Sequence, residues 1–354
     1  MIKKAFFLFL HLAVFSSCTK EKPDIHAVCE LTPSGIYLIK WEIYPPLEGS
    51  VKIYESSRPD SFDLNSPVAE QNISVGYKNV LSMPSIARTY FNLVFNKEYS
   101  VITTSRSVPM QKILNFRDIG GYFNKTKKQI RWGKLYRSGS LAPANRYDIY
   151  VLNSLGIETI IDLRTENDNY FHPIKYQPER IFNLPLRGNN HSVFYDKILA
   201  GEMKKRDAFI HSQDFFSFLL ENNTDYFIKM FDILSDEKNY PLVFFCSLGR
   251  DRSAIATALI LSALDIDRET ILNDFMLSND LLVDFYSLME NADLFSSQEV
   301  QETLTALFNS NREYLTYALE RIEKEYGSIQ NYLEKELKLT HKKREKLKEI
   351  LLSE

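Results

Sequence analysis

Three cysteines in 354 residues, Cys18, Cys29 and Cys246, are too few for a disulfide framework. Basic charge is not in excess either: 43 Lys and Arg stand against 46 Asp and Glu, a net charge of -3. A nucleic-acid binder draws much of its affinity from phosphate neutralisation by a basic face, so a nucleic-acid partner is not expected. The six histidines (His11, His26, His172, His191, His211, His341) are scattered without ligand spacing, and neither a metal site nor a cofactor is indicated. The apolar stretch at residues 5–15 falls short of the roughly 20 residues that a bilayer-spanning helix needs. What is present is a 44% hydrophobic fraction, enough for a large core, and a length that makes two domains the natural prior. Any chemistry on anions must come from charge gathered locally.

The chain begins Met-Ile-Lys-Lys, continues with the apolar residues 5–15, and reaches Ser16, Ser17 and Cys18. Two positive charges, a short apolar core and small residues before a cleavage point predict a secretory signal over residues 1–17. The small residues before Cys18 resemble the lipobox of bacterial lipoproteins, although Phe15 is unusual at its first position. That resemblance implies cleavage before Cys18, lipidation of Cys18 and a short linker over residues 18–23. It further implies a protein secreted across the inner membrane and anchored by its lipid, facing the periplasm or the cell surface. Ordinary signal cleavage is the alternative. Cys29 reads as a small core residue.

Residues 24–107 alternate apolar and polar side chains in short runs, as in Ile-Tyr-Leu-Ile-Lys-Trp-Glu-Ile-Tyr at 36–44. Period-two patterning broken by turn residues predicts a small all-β sandwich. Trp41 ahead of Pro45 and Pro46, with Tyr99 late in the region, resembles a fibronectin type III or immunoglobulin-like module. No residue set there suggests catalysis, and a spacer or recognition role is the default. From residue 113 strands alternate with helices: a helix over 144–155, strands at 157–163, 180–186 and 242–245, and helices over most of 298–352. The expectation for 113–354 is an α/β domain with a central, largely parallel sheet flanked by helices. The cluster Lys342, Lys343, Arg344, Lys346 and Lys348 reads as a solvated helix face.

Residues 241–254 (Pro-Leu-Val-Phe-Phe-Cys-Ser-Leu-Gly-Arg-Asp-Arg-Ser-Ala) carry the most information. They put Cys246 and Arg252 on a loop between an apolar strand and an apolar helix, beyond the carboxyl end of the strand, where ligands of such sheets bind. A phosphoryl group needs donors converging from one side, and the amides of a tight loop capped by a helix N-terminus supply them. Gly249 permits a turn that a side chain would obstruct, and Arg252 can grip two phosphate oxygens with its planar fork. The same positive surroundings favour a Cys246 thiolate. From the residues alone, Asp251 is either a proton donor, a cap for a neighbouring amide or a partner of Arg250.

Four separated segments resemble one family. They are residues 115–122 (Asn-Phe-Arg-Asp-Ile-Gly-Gly-Tyr), 135–138 (Leu-Tyr-Arg-Ser), 246–253 (Cys-Ser-Leu-Gly-Arg-Asp-Arg-Ser) and the tail at 326–333 with Leu339 and Thr340. In order and spacing they resemble the bacterial tyrosine phosphatases whose phosphate loop carries an Asp just before its Arg. The resemblance implies a cysteine-phosphatase-like fold over about 113–352. It makes Cys246 the nucleophile, Arg252 the clamp on the equatorial oxygens, and Asp251 the general acid. Phosphate would be bound by Ser247, Leu248, Gly249, Arg250, Asp251, Arg252 and Ser253. Implied substrates are a phosphorylated protein, a phosphoinositide or an inositol phosphate.

Two departures stand out: Phe245 occupies the family's usual His before the nucleophile, and Ser253 replaces Thr. Arg250 stands for the family's Lys and keeps a charge that could meet a second phosphate. Residues 115–122 could contribute to the site through Arg117 or Asp118, with a structural role around Gly120 and Gly121 favoured, and Arg137 and Arg164 fit either the cleft or buried ion pairs. The apolar stretch 194–220 is a candidate lid, with core packing the default for most of its residues. A rhodanese-like sulfur transferase and a weakly active phospho-ligand binding module are the competing functions.

Overall fold

The structure is a computed structural model that describes residues 22–82, 88–188, 191–291 and 297–353. The expected signal segment 1–17 and Cys18 lie outside the described residues. Seven strands come first: β1 (Asp24–Leu31), β2 (Ile36–Tyr44), β3 (Ser50–Ser56), β4 (Ala69–Asn72), β5 (Tyr77–Leu81), β6 (Tyr90–Phe95) and β7 (Tyr99–Thr104). They form two antiparallel sheets, ordered β1-β2-β5 and β4-β3-β6-β7. Alternate side chains point inward, as the pleat requires. Tyr37, Ile39 and Trp41 from one sheet meet Val51, Ile53, Phe91, Leu93 and Phe95 from the other in one apolar cluster. The Trp41 indole donates its N–H to the carbonyl of Ile73 at 2.8 Å, so its one polar group is satisfied.

The second part is mixed α/β, built on β8 (Arg117–Asp118), β9 (Leu135–Ser138), β10 (Thr159–Asp162), β11 (Arg180–Asn183) and β12 (Leu242–Phe245). Their order is β11-β10-β12-β9-β8, with only β8 antiparallel to its neighbour. Strands β10 and β11 are shorter than the apolar runs suggest. Pro185 has no N–H with which to extend the ladder beyond Asn183. Along β12, Leu242 and Phe244 enter the large apolar cluster on one face, while Val243 and Phe245 enter the cluster on the other.

Around this sheet lie α1 (Arg146–Ser154), α2 (Glu166–Phe171), α3 (His191–Leu199), α4 (Lys205–Glu221), α5 (Thr224–Leu234), α6 (Asp251–Ala263), α7 (Arg268–Leu281), α8 (Val283–Asn291), α9 (Gln298–Phe308), α10 (Arg312–Tyr326), α11 (Ile329–Lys335) and α12 (His341–Leu351). Helix α6 is buried all round from Ser253 to Ala263, which is why its sequence shows no polar face. It begins at Asp251, ahead of the apolar run at 254, because an acidic residue is well placed in a first turn. Arg252 is therefore helical. In the stretch read as a candidate lid, Phe215 and Phe216 are core residues, while Ile198 and Ala208 pack with Val300, Leu304 and Leu307 of α9. Of the basic cluster on α12, Lys343 pairs with Asp232, and Arg344 and Lys348 pair with Asp265.

The two parts are joined by more than a tether. Ser107 bridges Arg117, and the Asp118 amide donates to the Arg106 carbonyl at 3.0 Å, so the connecting segment runs along β8. The turn after β8 is closed by Gly121 at φ 82°, where an added Cβ would lie 1.9 Å from Cζ2 of Trp132. Gly121→Ala should destabilise the protein by about 1–3 kcal/mol through strain and overpacking, read as a lowered urea midpoint. An unchanged midpoint would show that Trp132 can move.

Candidate active site

Strand β12 and helix α6 deliver the loop between them. Cys246 sits immediately after β12, 3% exposed, and the Ser253 hydroxyl donates to its Sγ at 3.2 Å. Ser247 is exposed and Leu248 half-buried at the loop's rim, while Gly249 and Arg250 turn inward. Gly249 has φ 67°, and a Cβ there would lie 2.4 Å from the carbonyl carbon and oxygen of Ser138, so only glycine fits this close approach.

The loop's polar groups are sorted by direction. The Ser247 carbonyl accepts from the Ser140 amide at 3.0 Å, and the Leu248 carbonyl accepts from Asn115 Nδ2 at 3.1 Å. The Gly249 carbonyl accepts from Asn115 Nδ2 at 2.9 Å and from Arg137 Nη2 at 2.8 Å. The Arg250 carbonyl accepts from the Ala254 amide at 3.1 Å and from Arg137 Nη2 at 3.3 Å. Among the described residues, the amides of Ser247, Leu248, Gly249 and Arg250 donate no hydrogen bond. With every carbonyl fixed on the outside, these amides are left for an anion. Arg252 Nε is likewise buried without a hydrogen-bond partner, and its Nη2 lies 3.6 Å from where a Cβ on Gly188 would be.

Behind the loop is a fully buried charge array. Asp274, on α7, accepts from Arg137 Nη1 at 2.6 Å and from Arg117 Nε and Nη2 at 3.3 Å each. Tyr122 donates to the same carboxylate at 3.1 Å, and Arg117 also bonds Asn115 Oδ1. Burial alone would raise the Asp274 carboxyl, but Arg117 and Arg137 outweigh it and hold the group well below the usual carboxylate range. Arg137 is pushed down to about 10 by burial and by the neighbouring Arg117, so it remains charged at neutral pH.

Arg250 and Asp251 are committed to each other. Arg250 Nε and Nη2 donate to the two Asp251 oxygens at 2.6 and 2.9 Å, and Nη2 also donates to the Leu307 carbonyl at 3.0 Å. Burial would lower the Arg250 guanidinium, yet Asp251 beside it raises it above its ordinary value. The expectation that the Arg250 side chain meets a second phosphate is corrected by this placement: it is 3% exposed and turned towards α9. The Arg250 backbone amide is left without a hydrogen bond. Phe245 packs beneath Arg164, whose guanidinium carbon lies 5.0 Å from the ring centroid. Arg164 itself forms a buried pair with Asp162 and donates to Ser140, Asn169 and the His172 carbonyl. Arg137 and Arg164 thus both resolve into buried ion pairs.

From the sequence, residues 115–122 could reach the site through Arg117 or Asp118, with a structural turn favoured; Asn115 bonds the loop's carbonyls, and Arg117 bonds Asn115 and Asp274. Asp274 and Ser278 are not among the sequence candidates. Their signal is two polar residues spaced i, i+4 on the face of α7 that also buries Ile271 and Phe275.

A thiol, a run of loop amides that donate no hydrogen bond and an arginine with an unpartnered buried nitrogen, all within one short loop and the first turn of α6, are the chemistry of a cysteine-dependent phosphatase. The sequence profile of the tyrosine phosphatase family matches residues 108–353, and the chain belongs to that family. It is similar to a Cupriavidus necator protein assigned to the tyrosine-protein phosphatases, 26% identical over 228 residues, 62% of this chain and 80% of the other. It is also similar to the triple specificity protein phosphatase PtpB of Mycobacterium tuberculosis, 23% identical over 252 residues, 62% of this chain and 90% of the other. Among solved structures, the core catalytic domain of the PP-IP phosphatase SIW14 from S. cerevisiae matches at 12% identity and a TM-score of 0.27, over 55% of this chain and 88% of that one.

Asp274→Asn leaves two buried arginines without their counter-charge and should cost about 3–5 kcal/mol at neutral pH. Because the folded-state value lies below the ordinary 3.8, the stabilisation is complete above that value and lost as pH falls through the lowered one. The gap between wild type and variant, measured by urea denaturation, should therefore shrink in strong acid.

Proposed function

We propose that the chain is a phosphomonoesterase acting through a cysteinyl-phosphate, with Cys246 as nucleophile and Arg252 as the clamp on the equatorial oxygens. The observation that carries this assignment is the sorting of the loop from Ser247 to Arg250, with carbonyls held outward and amides unengaged. Loop amides from Ser247 to Arg252 stabilise charge developing on phosphorus oxygens, a contribution of several kcal/mol, roughly, in comparable oxyanion sites. Cys246 attacks phosphorus in line; the S–P bond forms as the bond to the leaving oxygen breaks. Asp251 gives that oxygen its proton, then takes one from the water that cleaves the S–P bond and releases phosphate. Ser253, whose hydroxyl points at Sγ, steadies the sulfur as it departs. To donate, Asp251 loosens one of its two bonds to Arg250.

The substrate we favour has an apolar or aryl body on its phosphate, as in a phosphotyrosine peptide. Beside the loop a cleft of about 530 Å3 reaches Ser247; its lining is mainly apolar (Ala142, Pro143, Phe171, Pro173 and Ile174) and also includes Arg164, Asp168, His172 and Lys175. Phe171 is 69% exposed there, an uncovered ring next to the cradle. With Arg250 and Arg164 both engaged by carboxylates, the cradle's surroundings suit an apolar body better than the ring of phosphates on an inositol polyphosphate.

We further assign residues 24–107 to a fibronectin type III or immunoglobulin-like sandwich and residues 113–354 to the catalytic unit. The N-terminal segment is assigned to export, with Cys18 as the lipidated residue of a membrane-anchored protein. Mass measurement of the mature N-terminus checks this, and an unmodified Cys18 removes the anchor.

Cys246→Ser should abolish turnover of para-nitrophenyl phosphate while orthophosphate still binds; retained turnover would exclude Cys246 as nucleophile. Alkylation should spare Cys29, whose thiol is pushed up to about 12 by burial. Asp251→Asn should slow alkyl phosphates far more than aryl phosphates, and equal rates on both would remove it as general acid. Phe171→Ala should raise KM for a phosphotyrosine peptide with kcat little changed. A higher kcat/KM on inositol hexakisphosphate than on the peptide would reverse the substrate assignment.

A further inference from the structure

The N-terminal sheets insert one side chain into the catalytic half at a place that bears on the phosphate loop. Arg88, 5% exposed, lies just before β6 and enters the space between the parts. Its Nη1 donates to Asp118 Oδ2 at 2.7 Å and to the Tyr136 hydroxyl at 3.1 Å. Its remaining donors are anchored on its own side, Nη2 on the Ser105 carbonyl at 3.1 Å and Nε on the Thr104 hydroxyl at 3.4 Å. The rings of Tyr90, Trp132 and Tyr136 pack around it at 5.0, 5.7 and 5.5 Å from the guanidinium carbon. Asp118 is fully buried, and its carboxylate also accepts from the amides of Gly120 and Gly133, each at 2.7 Å. Arg88 is the one cation paired with it among the described residues.

The register gives this contact its consequence. Asp118 and Tyr136 stand directly opposite each other on β8 and β9, and the next pair along the same ladder is Arg117 and Arg137. Successive residues of a strand face opposite sides, so Arg88 holds one rung from one face while the neighbouring rung projects from the other. That neighbouring rung supplies both arginines on Asp274 and the Arg137 donor to the Gly249 and Arg250 carbonyls. Strand β8 is two residues long and lies at the sheet's edge, so few ladder bonds of its own fix its position.

We propose that Arg88 is a positioning residue for the phosphate loop: by gripping the Asp118 and Tyr136 rung from the N-terminal sheets, it sets the Arg117 and Arg137 rung that holds the loop's carbonyls outward. The N-terminal layer is then part of the catalytic framework as well as any recognition module. This inference rests on the assignment of the 246–253 loop as the phosphate site.

The experiment uses the full chain with Arg88→Met, Arg88→Lys, Tyr136→Phe and the Arg88→Met/Asp118→Asn pair. Four quantities are read: kcat and KM on para-nitrophenyl phosphate, orthophosphate affinity, and the thermal midpoint. Arg88→Met should lower kcat about tenfold or more, as small misplacements of reacting groups do, and weaken orthophosphate binding in parallel. Arg88→Lys should recover part of both, and adding Asp118→Asn to Arg88→Met should cost little more, since both changes act on one rung. Tyr136→Phe removes a single hydroxyl and keeps the ring, so it reports even if Arg88→Met fails to fold; a several-fold lower kcat is expected. Wild-type kcat and phosphate affinity in Arg88→Met or Tyr136→Phe, with only a lowered thermal midpoint, would overturn the inference. An inactive wild type would count against the proposed function, whereas orthophosphate affinity across the variants still decides the role of Arg88.

Discussion

A buried carboxylate between two buried arginines organises the catalytic half of this protein. Asp274 cannot sit uncompensated in an apolar interior, and neither can Arg117 or Arg137, so the three must meet for the fold to close. Their meeting fixes α7 against β8 and β9. It also leaves Arg137 one free edge, which takes the carbonyls of Gly249 and Arg250. A loop whose carbonyls are held on one side presents its amides on the other. The proposed anion binding at the loop is thereby a by-product of satisfying polar groups behind it.

The same logic explains why the residues around the cradle do different jobs from those their charges suggest. Five arginines lie close to the loop or its supports, Arg117, Arg137, Arg164, Arg250 and Arg252, yet four are spent on carboxylates. The fifth, Arg252, keeps its buried Nε without a hydrogen bond. The dense positive charge in the sequence is thus largely neutralised in place, and the net character of the surrounding cleft is apolar. Phe245 fits this arrangement: its ring supports Arg164 from below. Where the family usually has an imidazole, this chain has a packing contact.

The fold class was legible because periodicity changes from two to 3.6 near residue 113 and because β12 and α6 are apolar on all sides. The loop proposed to hold phosphate stood out in the sequence because a cysteine, a glycine and an arginine need fixed spacing to surround a phosphate. Helix α6 begins earlier than its apolar run, and β11 ends at the residue before Leu184 and Pro185, as local backbone chemistry dictates. Asp274 was not legible. One acidic residue in a helix normally faces water, and nothing within α7 announces that two arginines more than a hundred residues away will meet it.

Sequence alone determined most of the elements and one local arrangement: where strands and helices fall, and where a thiol and an arginine share a loop. These follow from local propensity and from spacing, which are properties of neighbouring residues. Only the tertiary structure decided how the charges pair. It turned Arg250 onto Asp251, set Arg137 behind the loop and brought Arg88 from the N-terminal sheets onto Asp118. Ion pairing depends on distances of a few ångströms between residues far apart in the chain, and on the loss of water that makes an unpaired charge intolerable.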